Sequence, residues 1–190
     1  MYMERHSVLQ DDFDFLLKFI SHPRQIGSIV PSSQYLTDAM LRRVPWDSVH
    51  SLVELGAGTG VITCEINRRA PMNCKLISVE QDADMRSYLE TIYPRFTFAA
   101  QAEDLPHILK QQHLENADCI VSALPFLSFS APQRELLIKR IKDALAPNGV
   151  FILFQYSPLL RTLLRKHFSS IETTYVLRNL PPAFVFTCRK

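Results

Sequence analysis

Three of the five glycines in this 190-residue chain fall within five positions, as Gly56, Gly58 and Gly60. The apolar run Ser51–Leu55 precedes them and predicts a buried strand, and a helical pattern over Thr59–Arg69 follows. A glycine cluster between a strand and a helix is typical of a ligand-binding loop, because glycine lets the backbone approach a ligand closely. The alternative is a tight turn that binds nothing.

The glycine spacing and the neighbouring acids indicate which ligand the loop takes. A dinucleotide loop reads G-x-G-x-x-G, but Val61 stands where its third glycine belongs, and the Gly-Lys-Ser/Thr ending of a P-loop is absent. Glu54, at the end of the strand, is a poor neighbour for pyrophosphate and suits a cationic ligand. S-adenosylmethionine is such a ligand, since it carries a sulfonium and an ammonium. Glu80, 24 residues after Gly56, ends the next predicted strand and is expected to accept hydrogen bonds from ribose hydroxyls.

From Ser51 onward, short apolar runs alternate with helical patterns, which predicts an α/β fold with a mostly parallel sheet covered on both faces. The predicted strands are Ser51–Leu55, Lys75–Glu80, Phe96–Ala99, Asp118–Ala123, Val150–Tyr156, Thr173–Leu177 and Ala183–Cys188. The predicted helices are Phe13–Ile20, Tyr35–Arg43, Thr59–Arg69, Asp82–Ile92, Pro132–Leu145 and Pro158–His167. The pair Asn148-Gly149 is expected to stop the fifth of these helices.

Composition narrows the class of protein. Hydrophobic residues make up 47% of the chain and charged residues 21%, as in an average soluble domain, and the length fits one domain. No apolar run reaches the roughly 18 residues of a membrane span, and Met1–Gln10 lacks the apolar core of a secretory signal. A net charge of +2 is too small to indicate a nucleic-acid partner. The four cysteines form no C-x-x-C pair, which disfavours a zinc site and suits reduced thiols in the cytoplasm.

The stretch Val53-Glu54-Leu55-Gly56-Ala57-Gly58-Thr59-Gly60 resembles the first motif of class I S-adenosylmethionine-dependent methyltransferases. Three further stretches resemble bacterial phospholipid N-methyltransferases, which methylate phosphatidylethanolamine and are related to the rRNA adenine dimethylases. They are Gly27–Ser33, Ser122–Phe126 at the fourth motif, and Arg178–Ala183 before a C-terminal hairpin strand. The resemblance implies a Rossmann-like, seven-stranded sheet whose last strand is antiparallel. It also implies one domain over 1–190, with an N-terminal helical cap over 1–45 and a cofactor-binding core over 46–190.

The resemblance implies S-adenosylmethionine as the cofactor, with S-adenosylhomocysteine as its product. Glu54 and the loop would hold the methionine part, Glu80 would hold the ribose, and the adenine would lie near Gln101. The residues assigned to the cofactor are Ser33, Glu54, Gly56, Ala57, Gly58, Thr59, Gly60, Glu80, Gln81, Gln101, Ala102 and Ser122. Gln101 stands where the family usually has an acid, although its amide carbonyl can still accept a hydrogen bond from the adenine amine.

The acceptor site is expected at the fourth motif. The residues assigned to it are Tyr35, Leu124 and Tyr156 as catalytic residues, and Pro125, Phe126 and Arg178 as substrate-binding residues. The carbonyl of Leu124 is expected to hold an amine N–H. Aromatic faces stabilise an amine that becomes cationic by roughly 0.5–2 kcal/mol each, and Phe129 is a further candidate for this wall. Arg24 and Arg178 are candidates for a lipid phosphate. For the aromatic residues the alternative is core packing, and for the arginines it is a solvated face.

A phospholipid acceptor requires contact with a membrane surface, and the apolar segment Phe13–Ile20 is expected to make it. The alternative is that this segment packs on the sheet. The expected localisation is cytoplasmic, with peripheral association at the inner face of the cell membrane, and neither a metal nor an obligate protein partner is expected. Two other functions remain open: a methyltransferase of the same fold that acts on RNA adenine or a small-molecule amine, and a non-catalytic module that binds the cofactor or a lipid.

Overall fold

The strand that leads into the glycine loop, β1 (Ser51–Leu55), is buried at all five positions. It pairs in parallel with β2 on one side and with β4 on the other, so both of its faces meet other elements. This central position explains its uninterrupted apolar run, because a strand covered on both faces has no solvent side. The structure is a computed structural model, and it describes residues 32–190.

Seven strands and six α-helices follow one another along this range. The strands are β1 (Ser51–Leu55), β2 (Lys75–Val79), β3 (Phe96–Ala99), β4 (Ala117–Ser122), β5 (Leu145–Gln155), β6 (Ser170–Val176) and β7 (Ala183–Arg189). The helices are α1 (Ser32–Leu41), α2 (Val61–Arg69), α3 (Ala83–Ile92), α4 (Leu105–Gln111), α5 (Ala131–Ala144) and α6 (Arg161–His167). Short 3₁₀ helices cover Ala102–Asp104, Phe126–Ser128 and Pro158–Leu160.

The strand order in the sheet is β3-β2-β1-β4-β5-β7-β6. The pairs among β1 to β5 are parallel, whereas β7 is antiparallel to β5 on one side and to β6 on the other. The predicted seven-stranded, mostly parallel sheet with an antiparallel last strand is therefore confirmed. Because β7 runs against both neighbours, β6 points in the same direction as β5.

Apolar side chains cover the sheet on two faces. On one face, Leu52 of β1 packs in a cluster with Leu36 and Met40 of α1 and with Ile66 of α2. On the other face, Val53 of β1 belongs to a cluster that includes buried side chains of α4, α5 and α6. Alternate residues of the strand thus feed opposite cores, as the pleat of a β-strand requires.

Two elements differ from the sequence prediction. Helix α4 (Leu105–Gln111) was not predicted, although Leu105, Ile108 and Leu109 are buried at helical spacing and a proline is tolerated in the first turn. Strand β5 begins at Leu145, which was predicted as the last helical residue. The pair Asn148-Gly149 lies inside this strand, where the register against β4 shifts and Asn148 has φ 65°. That pair therefore marks a strand irregularity rather than the end of the helix.

Several predictions fall on residues outside the described range. These are the apolar segment Phe13–Ile20, Arg24, the stretch Gly27–Pro31 and most of the expected cap over 1–45.

The four cysteines all lie within 32–190, and none is paired with another. Within the same range, no helix combines the length and the apolar character needed to cross a bilayer.

Candidate active site

The carboxyl ends of the parallel strands meet at one edge of the sheet. Leu55 at the end of β1 pairs with Val79 of β2 on one side and with Ser122 of β4 on the other. The outer strands continue this edge, because Val79 pairs with Ala99 and Ser122 pairs with Leu153. The loops that follow these strands therefore lie side by side, and ligands of open α/β sheets bind at this edge.

The glycine loop follows β1, and all three of its glycines have positive φ angles. A Cβ on Gly58 would meet nothing within 4 Å, so the backbone there borders open space that a ligand can occupy. A Cβ on Gly60 would lie 2.5 Å from Cδ2 of Leu89, and Gly60 is the left-handed residue that starts α2. Gly58 thus leaves room for a ligand, whereas Gly60 permits close packing of α2 against α3.

The side chain of Glu80 holds the loop in this shape. Its Oε2 accepts a hydrogen bond from the backbone N–H of Gly58 at 2.6 Å, and its Oε1 accepts one from the backbone N–H of Asp82 at 2.9 Å. A carboxylate has about four acceptor positions, so two remain for ligand hydroxyls. The structure therefore places Glu80 beside the loop with acceptor capacity to spare, which fits the predicted contact with a ribose.

Glu54 lies beneath the loop and is fully buried. Its Oε2 accepts hydrogen bonds from the hydroxyls of Thr63 at 2.7 Å and Ser78 at 2.8 Å, while its Oε1 has no partner among residues 32–190. Burial raises the pKa of Glu54 to about 7, although both hydroxyl hydrogen bonds oppose this shift. A buried carboxylate oxygen without a partner is costly unless a cation or a donor reaches it. This oxygen fits a positively charged ligand at the end of β1.

The edge beyond β2 and β3 carries three further residues assigned to the cofactor, of which Gln101 and Ala102 are predicted to lie near the adenine. Gln101 is exposed just after β3, and its carbonyl accepts a hydrogen bond from the backbone N–H of Asp104 at 3.2 Å. Ala102 is buried at the start of a 3₁₀ helix, and Gln81 is exposed after β2. All three follow the carboxyl ends of β2 and β3, and Gln101 is exposed.

The loop after β4 does not present the Leu124 carbonyl as predicted. That oxygen accepts a hydrogen bond from the backbone N–H of Phe126 at 2.9 Å and a second from Nε2 of Gln155 at 3.0 Å. Both lone pairs of the oxygen are therefore engaged, so it has no free position for a substrate amine. This corrects the expectation that Leu124 acts through its carbonyl. Its side chain instead packs against Gly56, where a Cβ would lie 3.0 Å from Leu124 Cδ2.

Gln155 is the residue that the sequence prediction missed. It ends β5 and is buried, and its Nε2 also donates to the carbonyl of Phe154 at 2.6 Å. Because this nitrogen faces two carbonyl oxygens, the amide orientation is fixed and Oε1 points away from both. Gln155 therefore holds the loop after β4 against the end of β5. The available signal was a polar residue at the end of a strongly apolar strand, since buried polar groups in proteins normally have partners.

Phe126 is a core residue, and its ring does not line the opening of the predicted acceptor site. It is fully buried and makes edge-on contacts with Phe129 at 6.2 Å and with Phe151 at 6.2 Å between ring centroids. This corrects the prediction that Phe126 binds the substrate. Pro125, which precedes it, is exposed at the same edge. Ser122 is buried, and its hydroxyl accepts a hydrogen bond from the backbone N–H of Leu124 at 3.2 Å, which supports the loop from within.

Tyr156 directly follows β5 and is half-buried. Its ring meets Phe154 edge-on at 5.6 Å. Burial raises the pKa of Tyr156, and the side chain of Asn179 partly opposes that shift by hydrogen bonding. The phenol therefore stays protonated near neutral pH, which suits it to orienting an amine by hydrogen bonding rather than to accepting its proton.

Tyr35 and Arg178 come together across 143 residues of sequence. The guanidinium carbon of Arg178 lies 5.4 Å from the centroid of the Tyr35 ring, in cation–π geometry. Both side chains are exposed at the same edge as Tyr156, because Arg178 lies in the turn between β6 and β7. The structure thus brings Tyr35 and Arg178 together at the edge of the sheet that also carries Tyr156. Ser33 belongs to α1, but its side chain lies outside the described part of the structure.

A parallel sheet in this strand order, with a glycine loop after β1 and an acid after β2, defines the class I methyltransferase fold. A family model described as a methyltransferase domain matches residues 52–149. The ornithine lipid N-methyltransferase of Singulisphaera acidiphila is 37% identical to this chain over 186 residues, which cover 95% of this chain and 97% of that protein. The chain belongs to the family of S-adenosylmethionine-dependent methyltransferases, and S-adenosylmethionine is its cofactor.

Solved structures share the fold at low identity. The N-methyltransferase NodS from Bradyrhizobium japonicum WM9, in complex with S-adenosyl-L-homocysteine, aligns with a TM-score of 0.71 and 16% identity over 93% of this chain and 97% of its own. The 1,6-didemethyltoxoflavin-N1-methyltransferase from Burkholderia thailandensis, also with S-adenosylhomocysteine bound, aligns with a TM-score of 0.69 and 17% identity over 98% of this chain and 89% of its own. At this identity the likeness establishes the fold alone.

Proposed function

We propose that this protein transfers methyl groups to the amine of a membrane lipid head group. The observation that carries the proposal is the 37% identity, along nearly the whole of both chains, to an ornithine lipid N-methyltransferase. Ornithine lipids and phosphatidylethanolamine both offer a primary amine next to an acidic group. An amine lipid is therefore the acceptor class, and the experiment below distinguishes the two head groups.

On the cofactor side, the chain supplies shape and charge. S-adenosylmethionine, when bound, supplies an already activated methyl group, so the protein has to position the acceptor and exclude water. The free space at Gly58 accommodates the close approach of a ligand to the backbone. The remaining acceptor positions of Glu80 bind ribose hydroxyls, and the unpartnered Oε1 of Glu54 stabilises positive charge near the end of β1. Gln101, at the end of β3, receives the adenine amine.

On the acceptor side, Tyr156 and Tyr35 form the polar and aromatic surroundings of the amine. The neutral phenol of Tyr156 accepts a hydrogen bond from the amine and orients its lone pair. The ring of Tyr35 stabilises the positive charge that the nitrogen gains, and Arg178 binds the acidic group of the head group. Pro125 shapes the opening between them. Gln155 contributes indirectly, because it fixes the loop after β4.

The direct test is methyl transfer from labelled S-adenosylmethionine to mixed micelles that contain either ornithine lipid or phosphatidylethanolamine. We expect label in at least one amine lipid, recovered by chromatography, and none in phosphatidylglycerol, which has no amine. The Glu80→Leu variant serves as the control, since it lacks the predicted ribose contact. If the wild-type protein binds S-adenosylhomocysteine by calorimetry but labels neither amine lipid, the proposed acceptor class is wrong.

A further inference from the structure

The turn between β6 and β7, residues 177–182, buries a polar side chain and exposes two leucines. The polar Asn179 is 4% exposed and donates from Nδ2 to the carbonyl of Pro181 at 2.7 Å. The leucines on either side, Leu177 and Leu180, are 71% and 73% exposed. A surface turn in water ordinarily exposes its polar residues and buries its leucines. Here the buried asparagine fixes the turn so that both leucines point outward.

A third leucine with similar exposure follows a strand end at the same edge of the sheet. Leu159, at 73% exposed, follows the end of β5 in the connection to α6. Gln155 at the end of β5 pairs with Phe184 near the start of β7, so this connection and the turn leave the sheet at the same edge. We name Leu159, Leu177 and Leu180 the leucine rim.

Two exposed cations lie beside these leucines in the chain. Arg178 stands between Leu177 and Leu180, and Arg161 follows Leu159 at the start of α6, whereas neither residues 157–161 nor residues 177–182 contain an acid. Glu172 lies near the start of β6, at the far end of that strand from the turn, and is paired with Arg43 at 2.9 Å. Exposed apolar side chains flanked by cations are complementary to the surface of an anionic bilayer.

We propose that the leucine rim is a membrane-docking surface that inserts into the acyl boundary of an anionic phospholipid bilayer, with Arg161 and Arg178 at the head-group level. The inference rests on the proposed function, because a lipid acceptor must reach the site from a membrane. Leu177 directly precedes Arg178 of the Tyr35–Arg178 pair, and Leu159 follows β5, whose last residue Gln155 holds the loop after β4. Docking therefore brings the opening of the acceptor site to the depth of the head groups. The amine then enters the site while its acyl chains stay in the bilayer.

Vesicle binding tests the proposal separately from methyl transfer. The probe is a vesicle of phosphatidylcholine with about one third phosphatidylglycerol, which contains no acceptor amine. We expect the wild-type protein to sediment with these vesicles and the double variant Leu177→Glu/Leu180→Glu to bind at least about 30-fold more weakly. Leu159→Glu alone should weaken binding about tenfold. The double variant Leu177→Phe/Leu180→Phe should keep wild-type binding, because it preserves apolar character.

Met72→Glu is the matched control, since Met72 is 84% exposed but lies before β2, at the opposite edge of the sheet. It should bind vesicles within about twofold of the wild type. The proposal is overturned if the wild-type protein does not bind the vesicles, or if the glutamate variants bind as well as the wild type. It is also overturned if they lose thermal stability in solution while binding normally, since that identifies an intramolecular cover for the leucines. Wild-type transfer to amine lipids in micelles is measured in parallel, so failure of the docking surface is distinct from failure of the proposed function.

Discussion

The two halves of the active-site edge are held together in different ways. We call the loops after β1, β2 and β3 the cofactor half, after the ligand that we propose for them. Backbone groups and one carboxylate shape its glycine loop: the N–H groups of Gly56 and Ala57 donate to the carbonyl of Val79, and the N–H of Gly58 donates to Glu80. The acceptor half comprises the loops after β4 and β5 and the turn between β6 and β7. Its loops are held by side chains from distant parts of the chain: Gln155, for example, donates a hydrogen bond to the carbonyl of Leu124. The cofactor half is therefore a rigid frame close to the sheet. The acceptor half depends on individual side chains, so a substitution there changes the acceptor site while the fold is retained.

The largest expected effect concerns the buried carboxylate of the cofactor half. The pKa of Glu54 is raised to about 7 in the folded protein and is about 4.5 in the unfolded chain, so the folded state binds the extra proton between these values. Stability from this group is thus greatest below pH 4.5 and declines as the pH rises to 7. We expect Glu54→Gln to remove this decline, so that it gains on the order of 3 kcal/mol relative to the wild type between pH 4.5 and pH 8. Urea unfolding at several pH values measures the difference.

The same variant should bind S-adenosylmethionine more weakly, because it removes negative charge near a cationic ligand. Ser78→Ala provides a comparison, since it removes one hydroxyl donor to Glu54 without removing the carboxylate. A pH-independent difference between Glu54→Gln and the wild type would show that Glu54 does not titrate in this range.

A second pair of substitutions separates the roles of two glycines within the cofactor loop. Gly60→Ala should lower the free energy of unfolding by about 2 kcal/mol, because its Cβ would lie 2.5 Å from Leu89 Cδ2 at a φ of 84°. For a chain of this size that corresponds to a fall of roughly 4–8 °C in melting temperature. Gly58→Ala should cost only about 1 kcal/mol but should weaken S-adenosylhomocysteine binding at least about tenfold. Equal melting temperatures for the two variants would contradict this division.

On the acceptor half, Gln155→Leu should reduce kcat/KM for the lipid acceptor about tenfold, because the loss of one hydrogen bond frees the loop after β4. The KM for S-adenosylmethionine should change less, by about twofold, since among residues 32–190 Gln155 donates hydrogen bonds only to Leu124 and Phe154 and reaches the cofactor loop only through the packing of Leu124 against Gly56. Gln155→Glu tests the same contact with a side chain of similar size, because an ionised carboxylate would face two carbonyl oxygens and repel them. A parallel loss of cofactor affinity in both variants would show that the two halves are coupled.

The smallest expected effect lies between Tyr35 and Arg178. A double-mutant cycle with Tyr35→Leu and Arg178→Gln should give a coupling energy of about 0.5–1 kcal/mol in thermal unfolding, as for an exposed cation–π pair. In methyl-transfer assays, the same substitutions should raise the KM for the lipid. Expressed as a free energy, this increase should exceed the coupling energy measured by unfolding. Additive single effects on stability would mean that the two side chains meet only transiently.

Local patterns allowed prediction of the cofactor half from sequence. The strand β1, the glycines and the acids Glu54 and Glu80 lie within 30 consecutive residues, where each position follows from strand and turn geometry. The fold was predictable for the same reason, since strands and helices alternate with clear apolar periods. Helix α4 escaped prediction because it has only seven residues, with a proline in its first turn.

The acceptor half was less predictable because its contacts join residues far apart in sequence. The motif Ser122–Phe126 suggested an open carbonyl at Leu124 and an exposed ring at Phe126, but neither could be judged without knowing what packs against them. Only the fold shows that Gln155 reaches Leu124 and that Phe151 closes over Phe126. A sequence motif therefore specifies where this loop lies, whereas its partners determine which of its atoms remain free.

The position of β7 between β5 and β6 sets the order in which the two halves can form during synthesis. The strands β1, β2 and β3 have all their sheet neighbours once β4 has been translated, and β4 then lacks only β5. Strand β6, in contrast, has no neighbour in the sheet until β7 follows it and pairs with both β5 and β6. As the chain leaves the ribosome, we therefore expect the cofactor frame to fold first. The acceptor edge, with its turn and its tyrosine–arginine pair, is completed only when Ala183–Arg189 has emerged.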